Sequence, residues 1–330
     1  MKEKISLPIK VTKKIGSQYQ TEFGEIEKFM ADSKESVLPD YMVKKFSLRI
    51  QGENLDEKSD MIIKLCTTGV WRINKSIFAF DDKFANELID SYDINDDFPF
   101  EVLSCLPYSA VYIDNKDKSF FAMYISATDS ECDNLFIYFP CLPDSTNWIR
   151  VPLYKSSKNL LKTFKIDINK RIYDTMMLSD FSNKQFFELN SKVRDMTKDY
   201  VDKCKMAIPL LMYICCANAE VVVDEEQEKI YEKPVGTPKD RQREIKKYNV
   251  GYRIGKFIKN NKTYETGVSS SVGKKKSAHM RRGHYHHYWT GKRNGKRTLI
   301  LKWIAPSFIN YTDCNSVNPI IYNIKEDVNE

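Results

Sequence analysis

Tyr108-Ser109-Ala110-Val111-Tyr112-Ile113-Asp114 and Ser119-Phe120-Phe121-Ala122-Met123-Tyr124-Ile125-Ser126-Ala127 flank the four residues Asn115-Lys116-Asp117-Lys118. Two runs rich in aromatic and β-branched residues, parted by a short polar stretch of turn formers, read as the strands of a hairpin. Further strand-like runs follow at Asn134 to Phe139, Asn147 to Tyr154 and Lys162 to Ile168. Helical patterns lie on either side. Ser17 to Ala31 places Tyr19, Phe23, Ile26 and Met30 at steps of three and four, and Asp82 to Ser91 and Phe98 to Leu106 read as shorter helices, the latter closed by Pro107. Ser182-Asn183-Lys184-Gln185 has the form of a capping box, with Phe186, Leu189, Val193, Met196, Tyr200 and Cys204 stepping down one face of a long helix behind it. Pro209 is expected to kink or end that helix, leaving Leu210 to Ala219 as a separate buried one. The expected fold class is α+β: an antiparallel sheet with flanking helices, plus a basic C-terminal domain with a β-hairpin.

Composition fits a folded chain of this length. Apolar residues at 42% and aromatics at 12% exceed what a disordered chain carries. The first eight residues lack the apolar run of a signal peptide, and the longest uncharged apolar stretch, Met206 to Ala219, falls short of the roughly 20 residues a membrane span needs. The expectation is a cytoplasmic protein with no membrane partner. The eight cysteines contain no Cys-x-x-Cys and read as reduced core residues. The tandem Cys215-Cys216, with no basic or histidine neighbour, reads as packing rather than as a nucleophile.

Charge is distributed unevenly. Between Lys239 and Lys302, 19 Lys and Arg stand against three acids, a net +16, while the whole chain carries only +7 and the remainder therefore −9. A strongly basic segment joined to an acidic body is the footprint of polyanion binding by one part of the chain. The run from Asp224 to Glu228, followed by Pro234, Gly236 and Pro238, reads as a boundary. The expected division is an acidic body over residues 1–220 that binds a protein partner, a linker over 221–247, and a basic RNA-facing domain over 248–330 opening with Tyr248 to Ile258 as a strand or short helix.

All four histidines fall within nine positions of that domain: His279-Met280-Arg281-Arg282-Gly283-His284-Tyr285-His286-His287-Tyr288-Trp289. Asn294-Gly295 just beyond is a strong hairpin signal, because both central residues of a type I′ turn need positive φ. A two-residue turn there pairs Trp289 with Ile300, Tyr288 with Leu301 and His286 with Trp303. It gathers Arg282, His284, His286 and Tyr288 on one face with Leu299, Leu301 and Trp303, and makes a basic tip of Lys292, Arg293, Lys296 and Arg297. On that apolar side the imidazoles of His284 and His286 would be held neutral by desolvation.

Three chemistries fit. In the first, His284 and His286 act as acid and base in metal-independent RNA cleavage, with Arg282 stabilising the phosphorane. In the second, the His-x-His pair binds a metal, although no Cys or carboxylate stands beside it to complete a zinc set. In the third, the rings stack on bases or fill a core and do no chemistry. Under every nucleic-acid reading the contacts are Lys274, Lys275, Lys276, His279, Arg281, Tyr285, Trp289, Lys292, Arg293, Lys296 and Arg297. The Ser269 to Lys276 stretch lacks Walker spacing and no dinucleotide fingerprint is present, so no cofactor is expected.

The block His279 to Gly291, followed by Leu299-Ile300-Leu301-Lys302-Trp303-Ile304-Ala305-Pro306, resembles the C-terminal signature of a type V-A anti-CRISPR family carried by phages and plasmids. Val250-Gly251-Tyr252-Arg253-Ile254-Gly255, Leu106-Pro107 leading to Val111-Tyr112-Ile113 and Phe120-Phe121, and Leu211-Met212-Tyr213-Ile214-Cys215 agree with it, so the resemblance runs from about residue 100 to 310. Tyr285 stands where the family carries Trp, and the position of His287 varies there, which leaves His287 outside the catalytic set. The resemblance implies a protein that blocks production of the type V effector nuclease. It would recognise the effector's nascent N-terminal peptide and promote loss of its mRNA, with the ribosome or a host ribonuclease as further partners. A sheet edge near residues 108–154 is the expected place for such a peptide to add as a strand.

Overall fold

The computed structural model describes residues 6–32, 37–50, 55–94, 100–127, 132–142, 147–154, 159–167, 183–224, 245–261, 279–281, 283–292, 297–305 and 307–309. In chain order the elements are α1 (Leu7–Gln18), α2 (Gln20–Asp32), α3 (Asp40–Arg49), α4 (Leu55–Asn74), β1 (Ser76–Phe80), α5 (Asp82–Ser91), a 3-10 turn (Phe100–Cys105), β2 (Ala110–Asp114), β3 (Phe120–Ile125), β4 (Cys132–Tyr138), β5 (Trp148–Tyr154), α6 (160–167), α7 (Asn183–Ile214), β6 (Val221–Val223), β7 (Lys246–Val250), α8 (Tyr252–Asn261), β8 (His279–Arg281), β9 (His284–Thr290), β10 (Thr298–Ile304) and β11 (Ser307–Ile309).

The hairpin β2–β3 forms where the sequence puts it. A 3-10 turn over Lys116–Lys118 closes it, with Lys116 at φ 52° and the Ser119 hydroxyl accepting from Asn115 N–H (3.0 Å) while donating to the Lys116 carbonyl (2.6 Å). Alternation along β3 sends Phe120, Ala122 and Tyr124 into one core and Phe121, Met123 and Ile125 into another, so the sheet has an apolar layer on each face. Helices α1 to α4 cover one face. Trp71 of α4 packs edge-on to Phe121 (5.4 Å) and its indole N–H donates to the Ser76 carbonyl (2.7 Å). Helices α5 to α8 lie on the other face, with the base of the β9–β10 hairpin among them.

The sheet corrects the antiparallel expectation. Its seven strands run β5-β4-β3-β2-β1-β7-β6, and β1 is parallel to both β2 and β7. All five residues of β1 are buried on both faces, so no alternation marks it in the sequence. The expected linker, residues 221–247, supplies β6 at one end and the start of β7 at the other.

Three local expectations also change. In the segment expected as a strand over Lys162 to Ile168, the described residues 162–167 are helical: Asn159 Oδ1 accepts from Lys162 N–H (3.0 Å), and Leu160 and Phe164 bury one helical turn apart. Pro209 does not end α7, which continues to Ile214, so no separate helix reaches Ala219. Ser17 to Ala31 is two helices that meet at Tyr19 (φ −127°, ψ 52°). The seven described cysteines are free, and Cys105 and Cys141 are exposed rather than in the core. Burial pushes the Cys215 and Cys216 thiols far above the ordinary range, which leaves them protonated and inert. Among the described residues no helix is long and apolar enough to cross a membrane.

Candidate nucleic-acid interface

Strands β9 and β10 pair antiparallel, but one residue out of the expected register. Thr290 faces Thr298, Trp289 faces Leu299, Tyr288 faces Ile300, His287 faces Leu301, His286 faces Lys302, Tyr285 faces Trp303 and His284 faces Ile304. The connection therefore spans residues 291–297, seven residues, with Gly291 at φ 109°. The Asn294-Gly295 pair itself lies outside the described residues.

That single step reverses which residues share a face. Tyr285, Leu301 and Trp303 point into the body. The Trp303 ring, 3% exposed, sits edge-on to Phe84 (5.0 Å) and Tyr213 (6.0 Å). Tyr285 packs against the same core and its hydroxyl donates to the Pro209 carbonyl (2.5 Å). Burial first, and the neighbouring Cys216 and Tyr213 after it, push its phenol well above the ordinary tyrosine range. The edge of β10 is held as if by a further strand. Ala217 N–H donates to the Leu301 carbonyl (2.9 Å), and the Asn218 amide both accepts from Trp303 N–H (3.1 Å) and donates to the Trp303 carbonyl (2.9 Å). The hairpin base is thus fixed to the turn that follows α7.

His284, His286 and Tyr288 lie on the opposite, outer face with Ile300, Lys302 and Ile304. This corrects the expectation that the histidine pair occupies the apolar side: His284 is half-buried, and His286 and His287 are exposed. The His286 and Tyr288 rings stack (4.3 Å between centroids, 27° between planes), and the Lys302 ammonium lies 6.0 Å from the Tyr288 centroid, within cation–π range. Toward the tip, Trp289 is 52% exposed and Tyr288 40%, and Lys292 and Arg297 are both exposed.

The other sequence-predicted residues fall as follows. His279 and Arg281 lie on β8, paired with Ile309 and Ser307 of β11. Lys274, Lys275, Lys276, Arg282, Arg293 and Lys296 lie outside the described residues. The structure thus brings His284, His286, Tyr288 and Lys302 together and turns Tyr285 away from them into the core. Lys302, which is not in the expected contact set, is brought opposite His286 by the observed register. The residues that seat the hairpin, Phe84, Pro209, Tyr213 and Asn218, carry no local signal, since Pro209 is 76 positions from Tyr285 and Asn218 is 85 from Trp303.

The Val250 to Gly255 block explains itself as packing. Gly251, at φ +69°, begins the turn into α8, and a Cβ there would stand 1.9 Å from the Phe84 ring. A Cβ on Gly255 would stand equally close to the Asp81 carboxylate, which caps α5 by accepting from Lys83 and Phe84 N–H. The first turn of α8 is itself closed by Glu220, which accepts from Arg253 and Ile254 N–H and pairs with the Arg253 guanidinium (3.0 Å).

Known proteins place this architecture. Among curated proteins none matches the chain. Among solved structures, one described as the crystal structure of AcrVA2 superposes with a TM-score of 0.55 at 16% identity, covering 92% of this chain and 98% of that one, a likeness of fold. The model of the AcrVA2-like, anti-CRISPR type V subtype A2 family matches residues 78–311, which takes in β2 to β5, the Gly251 turn and the whole histidine hairpin. With more than two thirds of its length so matched, the chain belongs to the AcrVA2-like family of type V-A anti-CRISPR proteins.

Proposed function

We propose that this protein, in the bacterial cytoplasm, lowers the amount of a type V CRISPR effector by acting on its transcript during translation. The outer face of the β9–β10 hairpin, together with its exposed tip, is its RNA contact. The observation that carries this reading is the His286–Tyr288 stack with Lys302 beside it, on a ribbon that has no acidic residue between His279 and Ile304 and seven Lys and Arg. Cations neutralise phosphates and flat rings stack on bases, so one face serves both. The effector's nascent N-terminal peptide is the other partner. Of the described strands between residues 108 and 154, only β5 lies at the edge of the sheet, which supports strand addition there, although Pro152 withholds one donor from it.

The second reading assigns catalysis to His284 and His286, with Arg282 as phosphate partner and His279 and Arg281 in support. The openness of the face favours binding over cleavage by this chain, with a host ribonuclease completing the loss. Effector mRNA and protein, measured in cells with and without the protein, test the main reading: both should fall together. Unchanged mRNA beside an inactive effector would replace it with direct occlusion. His284→Ala and His286→Ala, assayed on purified protein with transcript, ribosomes and nascent chain, separate the two roles. Under catalysis they reduce cleavage by about 10²–10⁴-fold and a chelator has no effect. Under binding alone the purified protein never cleaves.

A further inference from the structure

We infer that the hairpin takes unpaired RNA and discriminates against duplex, with Tyr288 and Trp289 as its base-stacking groups. The inference rests on the RNA reading above and narrows it to a strand state. Consecutive residues of a strand point to opposite faces, so Tyr288 and Trp289 present one ring on each side of the ribbon. Both remain substantially exposed, at 40% and 52%, although the hairpin base buries Leu301 and Trp303 and packs the half-buried Tyr285 against the same core. The boundary between buried and exposed falls along β9 itself: Tyr285 is held by the Pro209 carbonyl, and from His286 onward every β9 side chain is exposed. The free half of the ribbon thus pairs aromatic surface with Lys292, Arg297 and Lys302 and with no carboxylate.

Electrostatics alone would accept any polyanion. The exposed rings decide among them. In an intact duplex the base faces are already stacked on one another, and the deep, narrow major groove of A-form RNA shuts out side chains. Tyr288 and Trp289 would then stay in water with nothing to cover them. Unpaired bases offer a π-face to each ring, independent of sequence, while the flanking cations follow the backbone. Tyr288 is also prearranged, since His286 stacks on it and Lys302 stands over it before any ligand arrives. A protein ligand of the ribbon would have to be acidic and would leave the stacked imidazole unexplained.

The full-length protein is titrated into three labelled probes of one sequence, chosen without self-complementarity: a single-stranded RNA, the same RNA annealed to its complement, and the single-stranded DNA. Fluorescence anisotropy at fixed ionic strength reads each affinity. The expected order is unpaired RNA tighter than duplex by at least tenfold. Tyr288→Ala and Trp289→Ala should each weaken the unpaired complex by about 5- to 100-fold, while Tyr288→Phe and Trp289→Phe retain most of the affinity. Thermal melts of all four variants should match the parent, because both side chains stand outside the core. Equal binding of duplex and single strand, or alanine variants that bind like the parent, would overturn the inference while leaving the RNA reading in place. DNA bound as tightly as RNA would overturn the choice of RNA as ligand. No binding to any probe would remove both readings. A photo-crosslinking residue at position 289 that captures a protein instead of RNA in cells would likewise overturn the stacking role.

Discussion

Trp303 is the residue on which the attachment of the hairpin turns, and its replacement gives a two-sided prediction. A buried tryptophan removes roughly 150–250 Å² from water, about 4–6 kcal/mol at ~25 cal/mol/Å². Truncation of such a ring to alanine costs about 3–5 kcal/mol in practice. Two edge-to-face contacts, to Phe84 and Tyr213, place Trp303 at the upper end. One feature works the other way: the indole N–H is buried and meets no acceptor among the described residues. An unmade hydrogen bond of this kind costs about 1–3 kcal/mol. Trp303→Phe deletes that donor together with one ring, and the two effects offset, leaving a net change under about 1.5 kcal/mol. Urea unfolding followed by far-UV circular dichroism gives both values by linear extrapolation. Hydrogen exchange at the amides of Ala217 and of β10 locates the loss. If Trp303→Phe is as damaging as Trp303→Ala, the indole N–H has a partner and the reasoning about its burial is wrong. If Trp303→Ala leaves the midpoint unchanged, the hairpin is not part of the core at all.

Gly251→Ala should lower the thermal midpoint, at a cost of about 2–4 kcal/mol, since an L side chain at φ +69° is strained and its Cβ would displace the fully buried Phe84; an unchanged melting temperature would count against the packing role of that glycine. Alkali should destabilise the fold. Burial, with smaller contributions from Asp60 and Cys141, raises Tyr138 from 10.0 to about 12, and burial raises Cys204 from 9.0 to about 12. The native state thus holds protons that the unfolded chain releases, so this stability is whole below pH 9 and is lost as pH rises through about 12. A urea midpoint that stays flat between pH 9 and 11 would refute that coupling.

What the sequence made legible follows from where each element buries its side chains. Strands β2 to β5 were readable because turn formers bound them and aromatic and β-branched residues fill them, and α5 because Phe84, Ala85 and Leu88 recur at helical spacing. Strand β1 was not, because a five-residue segment buried on both faces has no period to detect. Its parallel partner β7 begins 166 positions after Phe80 ends it, and nothing local announces that pairing. The segment 160–167 misled for the opposite reason: Phe164, Ile166 and Ile168 alternate in the sequence like a strand, while the signal that wins is Asn159 as a cap with Leu160 and Phe164 four apart. At Pro209 the loss of one donor was outweighed by the burial of Leu210, Leu211 and Tyr213 along the same helix.

The histidine hairpin shows why a single residue of register carries the functional argument. The tract was legible as basic, aromatic and strand-forming, and its hairpin followed from the turn. Which face is inward could not be settled locally, because side chains alternate with a period of two and one step exchanges every partner. The decision is made by Tyr285 and Trp303, a cross-strand pair whose partners lie in the body. With those two inside, His284 and His286 must be outside, on one face and two residues apart, which spaces their backbones by about 6.5–7 Å. Side chains so placed project in the same direction rather than converging on one atom. An in-line displacement at phosphorus wants its base and its acid on opposite sides of the reacting centre, so this pair serves cleavage only if the RNA lies along β9 between them. Stacking makes no such demand: the His286–Tyr288 ladder already has the geometry it needs. Under the proposed RNA reading, the register therefore weights the outer face toward holding an unpaired strand, and makes the direction of that strand along β9 the condition on which any chemistry by the histidines depends.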